Sequence, residues 1–105
     1  MLDLKSLLTA PIRIDLFVAL SQLDDDQKSD MNVILDAAAR IVVRYIDEVK
    51  KMNREENRTG ISFEQIDMII QIIANYCLEV FDDKFDQSAY DKLIHKSADI
   101  IVSRG

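Results

Sequence analysis

Cysteine and histidine occur once each in this chain, as Cys77 and His95, so a nucleophile–base pair or a mixed zinc site would have to use both. A thiolate beside an imidazole is the minimal machinery of cysteine nucleophilic catalysis, and the same two side chains are zinc ligands. Nothing in the spacing brings them together. Cys77 lies between Tyr76 and Leu78 in the most apolar stretch of the chain, where a free thiol acts as a small buried hydrophobe. His95, followed by Lys96, reads as the edge of a later helix. Two acidic runs, Asp24-Asp25-Asp26 and Asp82 to Asp86, space oxygen ligands much as a calcium loop does. Such a loop needs Gly at its sixth position and Glu at its twelfth. The first run has Ser29 and Leu35 there, and the second has Gln87 and Leu93. Both therefore read as helix caps or solvated loops, Asp24 and Gln27 having capping-box spacing. Lys50, Arg54 and Arg58 step by four with Lys51 beside them, but Glu55 and Glu56 dilute the stripe. It reads as a helix end whose cations complement the dipole. No Gly-rich phosphate loop, nucleophile elbow or paired-histidine motif occurs. The expectation is a protein that is not an enzyme and carries no cofactor or metal.

Charge and composition narrow the partners. The net charge is −6 over 105 residues, and 49% of the residues are apolar. The charge divides as −4 over residues 1–36, +2 over 37–60 and −4 over 61–105. An acidic surface repels phosphate backbones and anionic bilayers, which disfavours direct nucleic-acid binding and membrane association. One cysteine allows no intrachain disulfide, consistent with a reducing, cytoplasmic setting. Met1 to Ala10 does not read as a secretory signal. The run from Met68 to Phe81 is interrupted by Gln71, Asn75 and Glu79, so it falls short of the ~18 apolar residues of a spanning helix.

The elements that must position any site are helices. Gly and Pro together number 3, too few for the turns of a sandwich or barrel. Leu2 to Leu8 reads as a short helical segment, and Pro11 as the first turn of a new helix to Leu23, capped by Thr9 or Ala10. Only Arg13, Asp15, Ser21 and Gln22 interrupt that helix, so most of its surface is expected to be buried. Next, Met31, Leu35, Ala38, Val42, Tyr45, Val49 and Met52 step alternately by four and three, an a/d seam of three heptads. The seam predicts one long helix over about 27–57, with exposed i,i+4 pairs Asp36–Arg40, Arg44–Glu48 and Asp47–Lys51. Gly60 is expected to stop it. Ser62 with Gln65 forms a capping box and Ile61 with Ile66 a hydrophobic staple, which start a helix over 63–81. Its polar residues Glu64, Asp67, Gln71, Asn75, Glu79 and Asp82 form one narrow stripe, marking a central core helix. Asp86 is the expected cap of a last helix over 87–103, whose apolar face is Tyr90, Leu93, Ile94, Ala98, Ile101 and Val102. The whole, 1–105, reads as an all-α, four-helix-bundle-like single domain.

Arg13-Ile14-Asp15, an Asp-rich turn and Ile34-Leu35-Asp36-Ala37-Ala38 faintly resemble the small helical head–tail connector proteins of long-tailed phages, over about a third of the chain. Ile61-Ser62 and Tyr76-Cys77-Leu78-Glu79 stand where that family has a proline and an aromatic-to-arginine pattern, and no family is assigned.

Good packing faces without a catalytic constellation point to a protein–protein interaction module, a regulator, inhibitor, adaptor, chaperone or assembly factor. A helix of 27–57 would be about 45 Å long, against roughly 34 Å across a compact chain of this length. Its far end, Tyr45, Val49 and Met52, is therefore the expected interface of a homodimer. The alternatives are an acidic mimic occupying a nucleic-acid-binding protein, motivated by the two Asp clusters, and a small enzyme or metal protein built on Cys77 and His95.

Overall fold

The computed structural model describes residues 3–104. It contains α1 (Leu4–Ser21), α2 (Asp25–Lys28), α3 (Met31–Glu55), α4 (Phe63–Phe81), a 3-10 turn over Asp82–Lys84 and α5 (Gln87–Arg104). Helix makes up 85% of the described residues, with no strand among them, compatible with an all-α bundle. No helix among the described residues is long and apolar enough to cross a membrane.

The heptad seam becomes the core face of α3. Leu35, Ala38, Val42, Tyr45 and Val49 are buried, and Ile34, Ala39, Ile41 and Ile46 widen the covered surface. α3 packs against α1, α4 and α5, while α1 also lies against α4. Leu8, Ile12, Leu16 and Leu20, four apart on α1, and Ile69, Ile73 and Cys77 on α4 complete the core. Gln71 of α4 donates a 2.7 Å hydrogen bond to the Tyr90 hydroxyl of α5.

The long helix is shorter than its periodicity predicts. Asp24 and Gln27 form both bonds of the capping box, at 2.8 and 3.0 Å, but the box starts only the four-residue α2. The chain then breaks, and the Asp30 carboxylate caps α3 through the Asn32 N–H at 3.0 Å. At the other end Asn57, with φ of 63°, makes the left-handed turn assigned to Gly60. The Asn57 N–H bonds to the Arg54 carbonyl at 3.0 Å and the Arg58 N–H to the Asn53 carbonyl at 2.8 Å. These are the two bonds of a Schellman stop, and asparagine tolerates the conformation better than other non-glycine residues. The 25 residues of α3 span about 37 Å, inside the 45 Å long axis of the molecule. The helix therefore does not outrun the structure around it.

The start of α4 follows the sequence signals. Ser62 and Gln65 exchange both capping bonds at 3.1 Å, and Ile61 and Ile66 are half-buried against the core. Asn53, buried near the end of α3, donates at 2.9 Å to both the Gly60 carbonyl and the Gln65 side chain. That amide ties the end of α3 to the cap of α4. Asp86 caps α5 through the Ala89 N–H at 2.9 Å, as its spacing predicts.

Three expectations are corrected. The exposed pairs on α3 give way to pairs between helices: Asp36 meets Lys96 and Asp47 meets Arg104, both at 2.8 Å on α5, and Arg44 approaches Asp15 of α1 at 3.5 Å. The buried face of α5 is Ala89, Leu93 and Ser97, so Ile94, Ala98, Ile101 and Val102 point outward. Finally, α1 is continuous through Pro11 rather than starting there. Asp3 caps it, accepting from the Ser6 N–H at 2.8 Å. Pro11 cannot donate to the Leu7 carbonyl four residues back, at a cost of about 3 kcal/mol in a helix interior. Both residues are exposed, so water can satisfy the orphaned carbonyl, and the buried stripe holds the two halves in line. Pro11→Ala restores that donor but loosens the unfolded chain by up to about 1 kcal/mol. It should stabilise the protein by about 2 kcal/mol net in chemical denaturation, and unchanged or lower stability would contradict this account of α1.

Candidate functional site

The two side chains best suited to chemistry are kept apart in character. Cys77 is fully buried on α4, and burial pushes its thiol up to about 12. His95 is exposed on α5. No hydrogen bond joins them among the described residues, so a nucleophile–base pair is not assembled. No group of three or more His, Cys, Asp or Glu side chains that could hold a metal forms among the described residues.

The residues expected to form an interface are covered within the chain. Tyr45 and Val49 lie in the core with relative exposures of 7% and 0%, and Met52 is half-buried beside them. Because α3 ends within the body of the molecule, its far end has neighbours instead of a free surface. The Tyr45 hydroxyl donates to the Asp15 carboxylate, which fastens α3 to α1.

Apolar surface is left uncovered at Phe63, on the outer face of α5 and, most continuously, on α1 and the end of α4. α1 carries two apolar stripes. The one spaced by four, from Leu8 to Leu20, is buried; Leu7, Ile14, Phe17 and Val18 form a second that faces outward. Ile14 is 61% exposed and Phe17 64%, so the helix predicted to be mostly buried is covered along one face only. A helix apolar all round suggests full burial, but a chain of this length has too few elements to surround α1. The same helical spacing puts Tyr76 and Val80 on one side of α4, with Val80 51% exposed.

Between these faces lies an open apolar groove of about 550 Å³. Its floor is Leu20, Ile34 and Tyr76, all buried, and its rims are Phe17 and Val80. Leu23, Phe81 and the stem of Lys28 close the end where α1 gives way to α2. Tyr76 is held from the other side by Arg13, whose guanidinium lies 5.0 Å from the ring centroid and pairs with Glu79 at 2.6 Å. Burial raises the phenol of Tyr76, keeping the ring neutral. The groove is a preformed surface for burying apolar side chains, with a cation–π contact that fixes its aromatic floor. Comparison with known protein families, curated proteins and solved structures finds no match to this chain.

The Tyr45–Asp15 contact makes stability depend on alkaline pH. Burial first, and the bond to Asp15 second, push the Tyr45 phenol from 10.0 up to about 12. The folded state thus holds this proton more tightly than the unfolded chain does. The resulting stability is complete below pH 10 and is lost as pH rises towards 12. Cys77 adds the same sign between 9.0 and about 12. Tyr45→Phe should cost about 1–2 kcal/mol at neutral pH and leave a shallower alkaline loss. Equal alkaline losses in the two proteins, measured by denaturation between pH 9 and 12, would contradict the assignment.

Proposed function

We propose that this protein is a non-enzymatic protein–protein interaction module that engages its partner through the α1–α4 face. One observation carries the reading. Phe17 and Val80, large apolar side chains, stand more than half exposed on either rim of an apolar groove, and contiguous exposed apolar surface usually marks an interface. A regulator, adaptor or assembly factor needs such a surface and no reacting group. The test is capture of partners from the source organism's lysate by the wild type, Phe17→Gln and Val80→Gln, with Cys77→Ala and His95→Ala as controls. Partners should be retained by the wild type and both controls and lost from the groove variants. The groove variants should keep the wild-type circular dichroism spectrum, because neither side chain is in the core. Partners retained by both groove variants, or lost with Cys77→Ala alone, would sink the proposal.

A second reading is self-association, favoured by α5. Ile94, Ala98 and Ile101 are exposed and step by four and three, the spacing of a helix–helix seam. The charges of α5 nearly balance, with Asp91 and Asp99 against Lys92, Lys96 and Arg104, so two copies can meet there without strong repulsion. A twofold pair of these faces is the simplest arrangement. Sedimentation equilibrium should then give a mass rising with concentration towards twice that of the chain, and Ile101→Glu should return it to the monomer. A wild type that stays monomeric throughout would remove this reading without touching the first.

A further inference from the structure

The groove has a charged frame as well as an apolar floor. Leu23 at one end leads directly into Asp24-Asp25-Asp26, and Phe81 on the opposite side leads directly into Asp82-Asp83. All five carboxylates are exposed, and none makes an ion pair among the described residues. Four other acids, Asp15, Asp36, Asp47 and Glu79, face cations on neighbouring helices, and the rest make no ion pair among the described residues; what sets these five apart is their place beside an apolar groove. Among the described residues Lys28 is the one charged side chain lining the groove, and it is outnumbered on its own side by three aspartates.

The apolar surface also continues beyond the groove. From Phe17 it runs back along α1 through Ile14 to Leu7, about 15 Å along the axis. A compact ligand would fill the groove and leave that strip wet. A rod would cover both. An amphipathic helix has the right shape, because its anchors at i, i+3 or i+4 and i+7 form such a strip.

We infer that the α1–α4 groove receives a basic amphipathic helix of a partner protein, its apolar stripe on Phe17 and Val80 and its Lys or Arg flanks against Asp24–Asp26 and Asp82–Asp83. The inference rests on the groove being the partner-binding face. Apolar contact supplies the holding energy, and the carboxylates select for a cationic partner and speed the encounter. A second copy of the acidic face is repelled, which separates this surface from the near-neutral outer face of α5.

The probe is a capped, amidated 18-residue helical peptide with Leu at i, i+3, i+7 and i+10 and Lys or Arg elsewhere. An acidic version replaces each cation by Glu, and a scrambled version keeps the composition but not the stripe. Binding is followed by calorimetry and by amide shifts in NMR spectra of the labelled protein. The basic peptide should bind at least tenfold more tightly than either control and perturb Phe17, Tyr76 and Val80. Phe17→Gln with Val80→Gln should abolish binding. The quadruple variant Asp25→Asn, Asp26→Asn, Asp82→Asn and Asp83→Asn should weaken it severalfold and flatten its salt dependence; Asp24 is left intact because it caps α2. Equal binding of the acidic and basic peptides would overturn the inference. So would binding of the basic peptide that survives the groove variants, which would mark electrostatic capture alone. In either case partner loss from Phe17→Gln in lysate would still uphold the groove as an interface, so the two ideas fail separately.

Discussion

The structure depends on covering α3. Its buried face carries side chains that leave water completely, among them Leu35, Val42 and Val49, each contributing on the order of 1.5–3 kcal/mol. α1, α4 and α5 all pack on that helix, while α5 and α1 sit on different parts of it. Each neighbour can therefore offer α3 only one stripe. Whatever apolar surface α1 and α5 carry on their other sides has no element left to cover it, and that limit produces both the exposed face of α1 and the exposed seam of α5.

Apolar stripes alone specify register weakly, since a helix can slide by one turn and still bury leucine against isoleucine. Polar contacts between helices remove that freedom. Tyr45 reaches Asp15, Asn53 reaches Gln65 and Gly60, and Lys96 and Arg104 reach Asp36 and Asp47. The last two are partly exposed, so each contributes little energy. Their geometric role is larger. They lie eleven residues apart on α3 and eight apart on α5, and only one alignment of the two helices satisfies both. Asn53 is the more costly to lose, because it is buried and its amide would leave the Gly60 carbonyl and Gln65 short of a partner.

The capping signals were legible in the sequence because both partners of each bond lie within one turn. The Ser62–Gln65 box, the Asp24–Gln27 box and the Asp86 cap each involve residues three apart and form as their spacing predicts. The core stripe of α3 was equally readable. What escaped was every choice made between helices. Periodicity shows that α1 is apolar on two sides but cannot say which side finds a partner. It shows Asp36 four residues from Arg40 but not Lys96 arriving from 60 residues away. The residues expected at an interface, Tyr45, Val49 and Met52, are covered for a different reason: a two-residue break at Ser29 and Asp30 and an Asn57 turn shorten α3, and its neighbours close over the rest. The groove had a sequence signal after all, Phe17 and Val18 lying off the four-residue spacing of Leu8 to Leu20.

An exposed apolar face is a hazard to any protein that carries one, and the charge distribution bears on how this chain manages it. The net charge is −6, and like-charged molecules resist unselective contact at long range. The excess is not spread evenly: aspartates border the groove at Leu23 and Phe81, while α5 is close to neutral. Two copies approaching groove to groove must bring those aspartates together, whereas a cationic surface gains by the same approach. The repulsion fades within about 10 Å at moderate salt, so it acts at the rim, where a wrong partner is turned away before apolar contact begins. On the proposed reading of the groove as a partner-binding face, that acidity selects which proteins reach it, and the exposed phenylalanine and valine remain usable without being open to every apolar surface they meet.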